Sequence, residues 1–395
     1  MKKLLFLGGP IFQIPIIEKA KECGLDVGLV DIDCNAPAVP YVNHNFSCSL
    51  RDKNAVLDIA KEFKPDGVIC GACDTSVVTA AYVASNLGLP FYSEDVSIKA
   101  TNKLEMLYSF VKYGVPHPKF QYVKKEELDS FKCDICYPVI TKPVDSAGGQ
   151  GINLVSNESE LSVAAYSSSK AGLTGDILIE EYLSGPEVSV EVVVINSIPY
   201  VLQITDKITS GAPNFYEIGH VQPSALPKMI KKQISDVAVQ AVKAIGIDNS
   251  PAHIEIKVTP NGPKMIELGG RMGGDCITTY LLDNTVKGIN MSQAAIDLAL
   301  GEKPLVNDIT DTGTSGAIVF IPSKKGVIKG ISGLQDAQNI EGVIKVEVIG
   351  KIGHRYYDAC DDTGRFGYVI ALGQNNEEAV ERCKRAINHI HFELL

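Results

Sequence analysis

Nowhere do the 395 residues offer a run of about 18 uncharged apolar residues, so no segment is of membrane-spanning type. Positive charge is also short, with 37 Lys and Arg against 47 Asp and Glu for a net charge of −10. That balance opposes a general attraction to nucleic-acid phosphates or anionic membranes, while leaving room for a local basic pocket. Tryptophan is absent, and there is neither a repeat of fixed period nor a low-complexity tract. Disorder is excluded by what remains: 45% of residues are apolar, and a chain of this length buries about 75% of its unfolded surface. At roughly 150 residues per domain, two or three domains are expected. The starting expectation is a small-molecule enzyme without nucleic-acid or membrane partners.

Met1-Lys2-Lys3-Leu4-Leu5-Phe6-Leu7-Gly8-Gly9 has too short an apolar part for a signal peptide, and no small-residue cleavage site follows. It reads as strand and turn, and a cytoplasmic location is expected. The 10 cysteines are scattered and read as reduced, mostly buried thiols. Two pairs, Cys70/Cys73 and Cys133/Cys136, have C-x-x-C spacing. They stand too far apart for a zinc ribbon, and the first closes an apolar strand pattern.

The first hundred residues alternate apolar runs (Leu4–Leu7, Val27–Asp31, Gly67–Cys70) with helical spacing (Ile16–Cys23, Ala55–Phe63, Val77–Leu87). Alternation of this kind implies a parallel sheet with crossover helices. Gly8-Gly9-Pro10 followed by Asp31 is an incomplete dinucleotide fingerprint, since Pro10 removes an amide a pyrophosphate would use. A nicotinamide oxidoreductase is therefore carried as an alternative. Further on, Tyr137–Pro143 reads as a strand entering the glycine-rich loop Asp145–Gly151. Glu187–Ile195 and Tyr200–Thr205 pair through Asn196-Ser197, and Met229–Ile245 is a helix stopped by Gly246. Ile254–Val258 and Lys264–Leu268 form a hairpin. After Pro304 the chain is rich in glycine and β-branched residues, with strands at Ser315–Ile321, Val343–Val348 and Gly367–Ala371 and a last helix over Glu377–Ile390.

Glycines 148, 149 and 151 allow backbone amides close approach to an anion, with Ser146 and Gln150 as polar neighbours. The loop lacks the Lys-Ser or Lys-Thr ending of a Walker loop. Lys142 precedes it on a strand and Lys103 opens a helix, and two lysines flanking a flexible cradle suit a polyphosphate. Ile177-Leu178-Ile179-Glu180-Glu181-Tyr182-Leu183 is a strand end whose backbone can bond an adenine, and Glu187 can take ribose hydroxyls. Glu255 and Glu267 lie on the two arms of the hairpin, where pairing aims both carboxylates at one face and fits them to hold Mg²⁺. Arg271, in glycine-rich backbone four residues later, is placed to clamp a transferring phosphoryl group.

In order and spacing, these features resemble the ATP-grasp superfamily over roughly residues 1 to 305. The run Ile266-Glu267-Leu268-Gly269-Gly270-Arg271-Met272-Gly273-Gly274-Asp275 and the β-rich tail are similar to its L-amino-acid ligase branch. The resemblance implies an α/β (α+β) architecture. Its parts are an N-terminal parallel α/β domain (1–103), an ATP-grasp domain (104–305) with a mobile lid over about 115–182, and a β-rich C-terminal domain (306–395). It assigns Lys103 and Lys142 to ATP phosphates and the loop from Ser146 to Gly151 to the lid, with Gly148 and Gly149 at its tip. Glu180 with the backbone of Glu181 and Leu183 is assigned to adenine, Glu187 to ribose, Glu255 and Glu267 to Mg²⁺ (or Mn²⁺), and Arg271 to the substrate carboxylate. Many relatives carry Asn where this chain has Gly269.

The implied reaction is attack of a substrate carboxylate on the γ-phosphate of ATP and capture of the acyl phosphate by an amine, with Lys142 and Arg271 in catalytic positions. Substrate selection is expected from the irregular stretch 205–220, with Lys207, Tyr216 and His220, and from Gly273. His253 projects to the same strand face as Glu255, though a packed core histidine is the simpler role. Small-molecule carboxylate and amine partners are expected, and a homodimer is compatible with the sequence. The alternatives are a carboxylase-type relative activating bicarbonate and, from other classes, the nicotinamide oxidoreductase and a non-catalytic nucleotide-binding protein.

Overall fold

In a computed structural model of the chain, which describes residues 1–212 and 214–395, four parallel strands open the fold. These are β1 (Lys3–Leu7), β2 (Asp26–Asp31), β3 (His44–Ser47) and β4 (Gly67–Ile69), in the order β3-β2-β1-β4. Helices α1 (Ile14–Glu22) and α2 (Lys53–Phe63) make the β1–β2 and β3–β4 crossovers, and α3 (Val77–Leu87) follows β4. Helices cover the sheet, so β1 is apolar on both faces and Leu4 to Leu7 are fully buried. β3 escaped the sequence reading because it is a polar edge strand, largely exposed along His44-Asn45-Phe46-Ser47. Two further helices, α4 (Glu94–Lys99) and α5 (Lys103–Tyr113), follow. Asn102 caps α5 by accepting from the amides of Leu104 and Glu105, and Gly114 ends it in the left-handed region at φ +68°. That cap fixes Lys103 in the first turn, with its amide donating to Val144 O (2.9 Å).

A separate antiparallel sheet spans Phe120 to Glu181. Its strands β5 (Phe120–Val123), β6 (Val139–Pro143), β7 (Asn153–Val155) and β8 (Ile177–Glu181) run in the order β5-β8-β6-β7, with α6 (Glu158–Ala171) packed on it. The glycine-rich loop connects β6 to β7. The central body holds β9 (Glu187–Ile195), β10 (Ile198–Thr209), β11 (Glu217–Gln222), α7 (Lys228–Ile245), β12 (Ser250–Thr259) and β13 (Gly262–Gly269). Asn196 and Ser197 both have positive φ (50° and 63°), giving the tight turn that matches the strand twist between β9 and β10. In the β12–β13 ladder Glu255 stands directly opposite Glu267. A π-helical turn (Ile277–Leu281) leads to α8 (Leu282–Thr285), β14 (Val286–Lys287), α9 (Met291–Ala299) and β15 (Thr310–Asp311). One hydrophobic core joins α9 and β9 to the N-terminal sheet: Met291, Leu298 and Val193 pack with Leu4, Phe6 and Ile17.

The last segment comprises β16 (Ser315–Pro322), β17 (Gly326–Ser332), α10 (Leu334–Gln338), β18 (Val343–Val348), β19 (Arg355–Tyr356), β20 (Arg365–Gly373), α11 (Asn376–Ile387) and β21 (His391–Leu394). β16 pairs antiparallel with β11, producing one eight-stranded sheet, β13-β12-β9-β10-β11-β16-β20-β18. Residues 306–395, expected as an appended domain, thus complete the central sheet and can reach its cavity. The final helix ends at Ile387, short of the expected Ile390, and the chain then adds β21 to β17. Among the described residues no helix is long and apolar enough to cross a membrane.

Candidate active site

A cavity of about 530 Å³ lies where the β5–β8 sheet faces β12 and β13. The turns after β1 and β4 contribute Phe12, Cys73 and Asp74 to its wall, and the C-terminal segment contributes Asp362.

At one end, Lys142 Nζ pairs with Glu180 Oε2 at 2.8 Å, with both side chains under a tenth exposed. β6 and β8 are ladder neighbours, which sets this pair side by side. Glu180 Oε1 is buried without a hydrogen-bond partner among the described residues. An acceptor in that condition asks for a donor from whatever fills the cavity. Ile140, Met265 and Leu183 supply apolar walls beside it. Glu181 donates its amide to Lys119 O (2.9 Å) and pairs its side chain with Lys264, so what it still offers is its carbonyl edge. Lys103 Nζ bridges the lid to the hairpin, donating to Ser146 O (2.5 Å) and Glu267 Oε1 (2.9 Å). Burial opposes the charge of Lys103, but Glu267 outweighs it and raises the ammonium above its ordinary value.

Gly148 and Gly149 line the cavity, whereas Ser146 and Gly151 do not. The Ser146 hydroxyl donates to Gln150 O (3.0 Å), and Gly151 packs on Ala171 and Pro143 so closely that a Cβ would come within 2.9 Å of both.

Glu255 and Glu267 both line the cavity and keep partial exposure. Burial alone would raise Glu255, yet Lys207 (3.1 Å) and His253 (3.5 Å) hold it well below the carboxylate range. Two carboxylates directly opposite on the hairpin arms, both lining the cavity, are a hard oxygen donor set, which fits Mg²⁺. His253 is 7% exposed but lines the cavity. Burial disfavours its charge, and Glu191, 2.6 Å from Nδ1, overrides this and lifts the ring to about 9. The histidine is thus a buried cation steadying Glu255, and more than core packing. Gly273, expected at the substrate, instead backs this pair: a Cβ there would fall 2.7 Å from Glu191 Oε1 and His253 Nδ1.

Lys207 Nζ is held by Glu217 (2.7 Å), Glu187 (2.8 Å) and Glu255 (3.1 Å). It lines the cavity as a structural cation, leaving Glu187 shared with Lys257 at 3.1 Å. Of the other residues expected to select substrate, Tyr216 does not line the cavity, and Pro213 of that stretch lies outside the described residues. His220 is fully buried behind the wall, its Nε2 3.3 Å from Glu217 and 3.4 Å from Asp275. Burial lowers its basicity but Glu217 and Asp275 raise it to about 8.

Arg271 lines the cavity while its Nε and Nη2 donate to the two oxygens of Asp74, at 2.8 and 2.5 Å. Gly269 and Gly270 make room for this. A Cβ at 269 would lie 3.2 Å from Asp74 Oδ1 and 3.3 Å from the guanidinium, and one at 270 would lie 2.6 Å from Tyr92 Oη. An Asn at position 269 would press on the Asp74–Arg271 pair, which accounts for the glycine.

The dinucleotide alternative loses its acid. Asp31 Oδ2 accepts from Gly9 N (2.7 Å) and Oδ1 from Asp33 N (2.9 Å), so its carboxylate ties its own loop together. The C-x-x-C pairs belong to different cores, Cys70 to that of the N-terminal sheet and Cys133 to that of the β5–β8 sheet. Burial pushes Cys70 up to about 12, which suits an inert thiol.

Residues 135–279 match a family model described as an ATP-grasp domain, and residues 318–394 match one described as L-amino acid ligase C-terminal domain 2. Residues 135–279 thus form an ATP-grasp domain. It is 25% identical to a formate-dependent phosphoribosylglycinamide formyltransferase of Sulfurisphaera tokodaii, over 98% of this chain and 96% of that protein. It is 24% identical to carnosine synthase 1 of Gallus gallus, over 91% of this chain and 42% of that longer protein. An L-amino acid ligase from Bacillus licheniformis shares the fold, with a TM-score of 0.87 and 25% identity, covering 100% of this chain and 99% of the other.

Several residues in or just behind the wall of this ATP-grasp cavity have no signal in the sequence. Asp74 sits in an ordinary Cys-Asp-Thr-Ser turn, and Glu217, Asp362 and Arg365 carry no motif of their own. Arg365 reaches Asp275 (2.9 Å), Glu217 (3.4 Å) and Asp362 (3.4 Å), so its place is visible only once β20 joins the central sheet. Asp275 and Cys276 hold positive φ (53° and 62°), a strained pair of non-glycine residues at the cavity edge.

Proposed function

We propose that the chain is an ATP-dependent ligase that activates the carboxylate of an amino acid as an acyl phosphate and joins it to an amine, releasing ADP and phosphate. The observation that carries this reading is one cavity with an unpaired buried acceptor, Glu180 Oε1, and Lys142 at one end, and Arg271 at the other. In this reading Glu180 receives the amino group of adenine, and Glu187 and Lys257 face the ribose. Lys142 and Lys103 hold the phosphates, and the loop carrying Gly148 and Gly149 closes over them. Excluding water there protects a reactive acyl phosphate from hydrolysis. Glu255 and Glu267 are the residues that would hold Mg²⁺, which supplies charge neutralisation on the phosphates. Arg271 orients the substrate carboxylate and then its phosphorylated form, using the donors Asp74 leaves free.

The test is phosphate release from ATP and Mg²⁺ over paired amino acids. Release that needs both an acid and an amine is the expected result. Silence across broad mixtures overturns the reading, and release driven by bicarbonate alone would point to carboxylation instead.

The Asp74–Arg271 pair yields its own prediction. Asp74→Asn keeps the shape but removes a charge-assisted bidentate contact worth about 1.5–3 kcal/mol, so Arg271 loses its fixed aim. KM for the carboxylate should rise about tenfold with KM for ATP little changed, read from initial rates with each substrate varied. An unaltered carboxylate KM would show that the pair merely fastens the N-terminal sheet to the body.

A further inference from the structure

Asp362 is the one side chain that residues 306–395 place on the cavity wall among the described residues. Its Oδ1 accepts from the amide of Glu217 (2.7 Å) and lies 3.4 Å from Arg365 Nη2. Oδ2 accepts no hydrogen bond among the described residues, and a Cβ on Gly149 of the lid loop would lie 3.5 Å from it. One oxygen is therefore anchored while the other is presented to the space that the lid loop closes. The wall connects to the reacting end through few steps, since Glu217 meets Lys207 at 2.7 Å and Lys207 meets Glu255 at 3.1 Å.

An amino group reaching this cavity from water arrives as an ammonium, which has no lone pair for attack. Something must take its proton after the lid has closed. Lys207 and Arg365 are cations, His220 does not line the cavity, and Glu217 is engaged by Lys207, His220 and Arg365.

Resting on the ligase reading above, we propose that Asp362 is the general base for the incoming amine. Asp362 takes one proton from the ammonium, and the nitrogen lone pair then forms the C–N bond to the acyl carbonyl. The C–O bond to phosphate breaks with its electron pair leaving on phosphate. The second nitrogen proton leaves with that phosphate, and Asp362 returns its own to solvent. The local charges are consistent with this role. Burial, and then the negative charge of Glu217 with that of Asp275, raise Asp362 to about 6 against the pull of Arg365. A carboxylate so raised is a stronger base than an ordinary one and is still ionised at neutral pH.

The experiment compares two acceptors in Asp362→Asn and the parent, each with ATP, Mg²⁺ and the accepted amino acid. An amino-acid acceptor needs deprotonation, whereas hydroxylamine, held at constant free-base concentration, does not. The variant should lose amide formation by about a hundredfold or more while hydroxamate formation stays close to the parent's. Equal loss of both reactions overturns the proposal by making Asp362 a prop for Glu217 and Arg365, and retention of both overturns it directly. Should the variant fail to fold, the parent still decides. An acid limb near pH 6 is expected with amino-acid acceptors and absent with hydroxylamine, and the same limb with both refutes the role. Failure of the parent to form hydroxamate or release phosphate with any acid strikes the ligase reading itself, a result distinct from all of these.

Discussion

Glu267→Gln is expected to lower ATP turnover by about 10²- to 10³-fold and to weaken the response to Mg²⁺ titration. Glu267 faces Glu255 across the β12–β13 ladder and takes the 2.9 Å contact from Lys103, so one carboxylate serves both the cation site and the phosphate-binding lysine. The amide keeps the volume and can still accept from Lys103, but it removes the negative charge that a divalent ion needs. Because the side chain is a third exposed and the amide still accepts from Lys103, the fold should survive, with the unfolding midpoint lowered only modestly by the lost partner of the buried ammonium. The measurement is steady-state ADP release against Mg²⁺ concentration. Turnover within a few-fold of the parent would remove Glu267 from the metal assignment while leaving the adenine end of the cavity untouched.

Residues whose chemistry depends on local pattern were readable before the structure. The Glu255–Glu267 hairpin follows from two alternating runs about a Pro-Asn-Gly turn, and the parallel N-terminal sheet follows from apolar runs separated by helical spacing. What escaped depends on chain segments far apart in sequence. Asp74 meets Arg271 across 197 positions, and Arg365 meets Glu217 across 148. Neither has a periodicity that points to its partner. The glycine- and β-branched-rich composition after Pro304 suggests an appended β-rich domain, and only the β11–β16 ladder shows that the central sheet runs on into it. Within the 205–220 stretch, the sequence indicated ionisable residues without their depth. The Lys207 and His220 side chains are buried members of an ion network, and Lys207, Phe215 and Glu217 are the residues of the stretch that line the cavity.

That network supports the second large effect. Lys207→Met should destabilise the fold by about 3–5 kcal/mol, the usual consequence of removing one partner from a buried ion cluster. Methionine fills the aliphatic volume, so the loss is chiefly electrostatic. Glu187, Glu217 and Glu255 would face one another without the ammonium that now contacts all three. Burial raises Glu217 and Glu255, but Lys207 more than offsets this and holds both below their ordinary value of 4.5. Groups with depressed folded values contribute stability that is fully present above 4.5 and is lost as pH falls through the folded value. The parent has that contribution at neutral pH and the variant lacks it. The gap between them should therefore be widest near pH 7 and close as the carboxylates protonate below about 4.5, in urea titrations at matched pH. Adding Glu217→Gln to the variant should restore part of the loss at neutral pH by removing one of the uncompensated charges. A pH-independent gap would mean that Lys207 acts through packing alone, and no recovery in the double variant would place the dominant repulsion between Glu187 and Glu255.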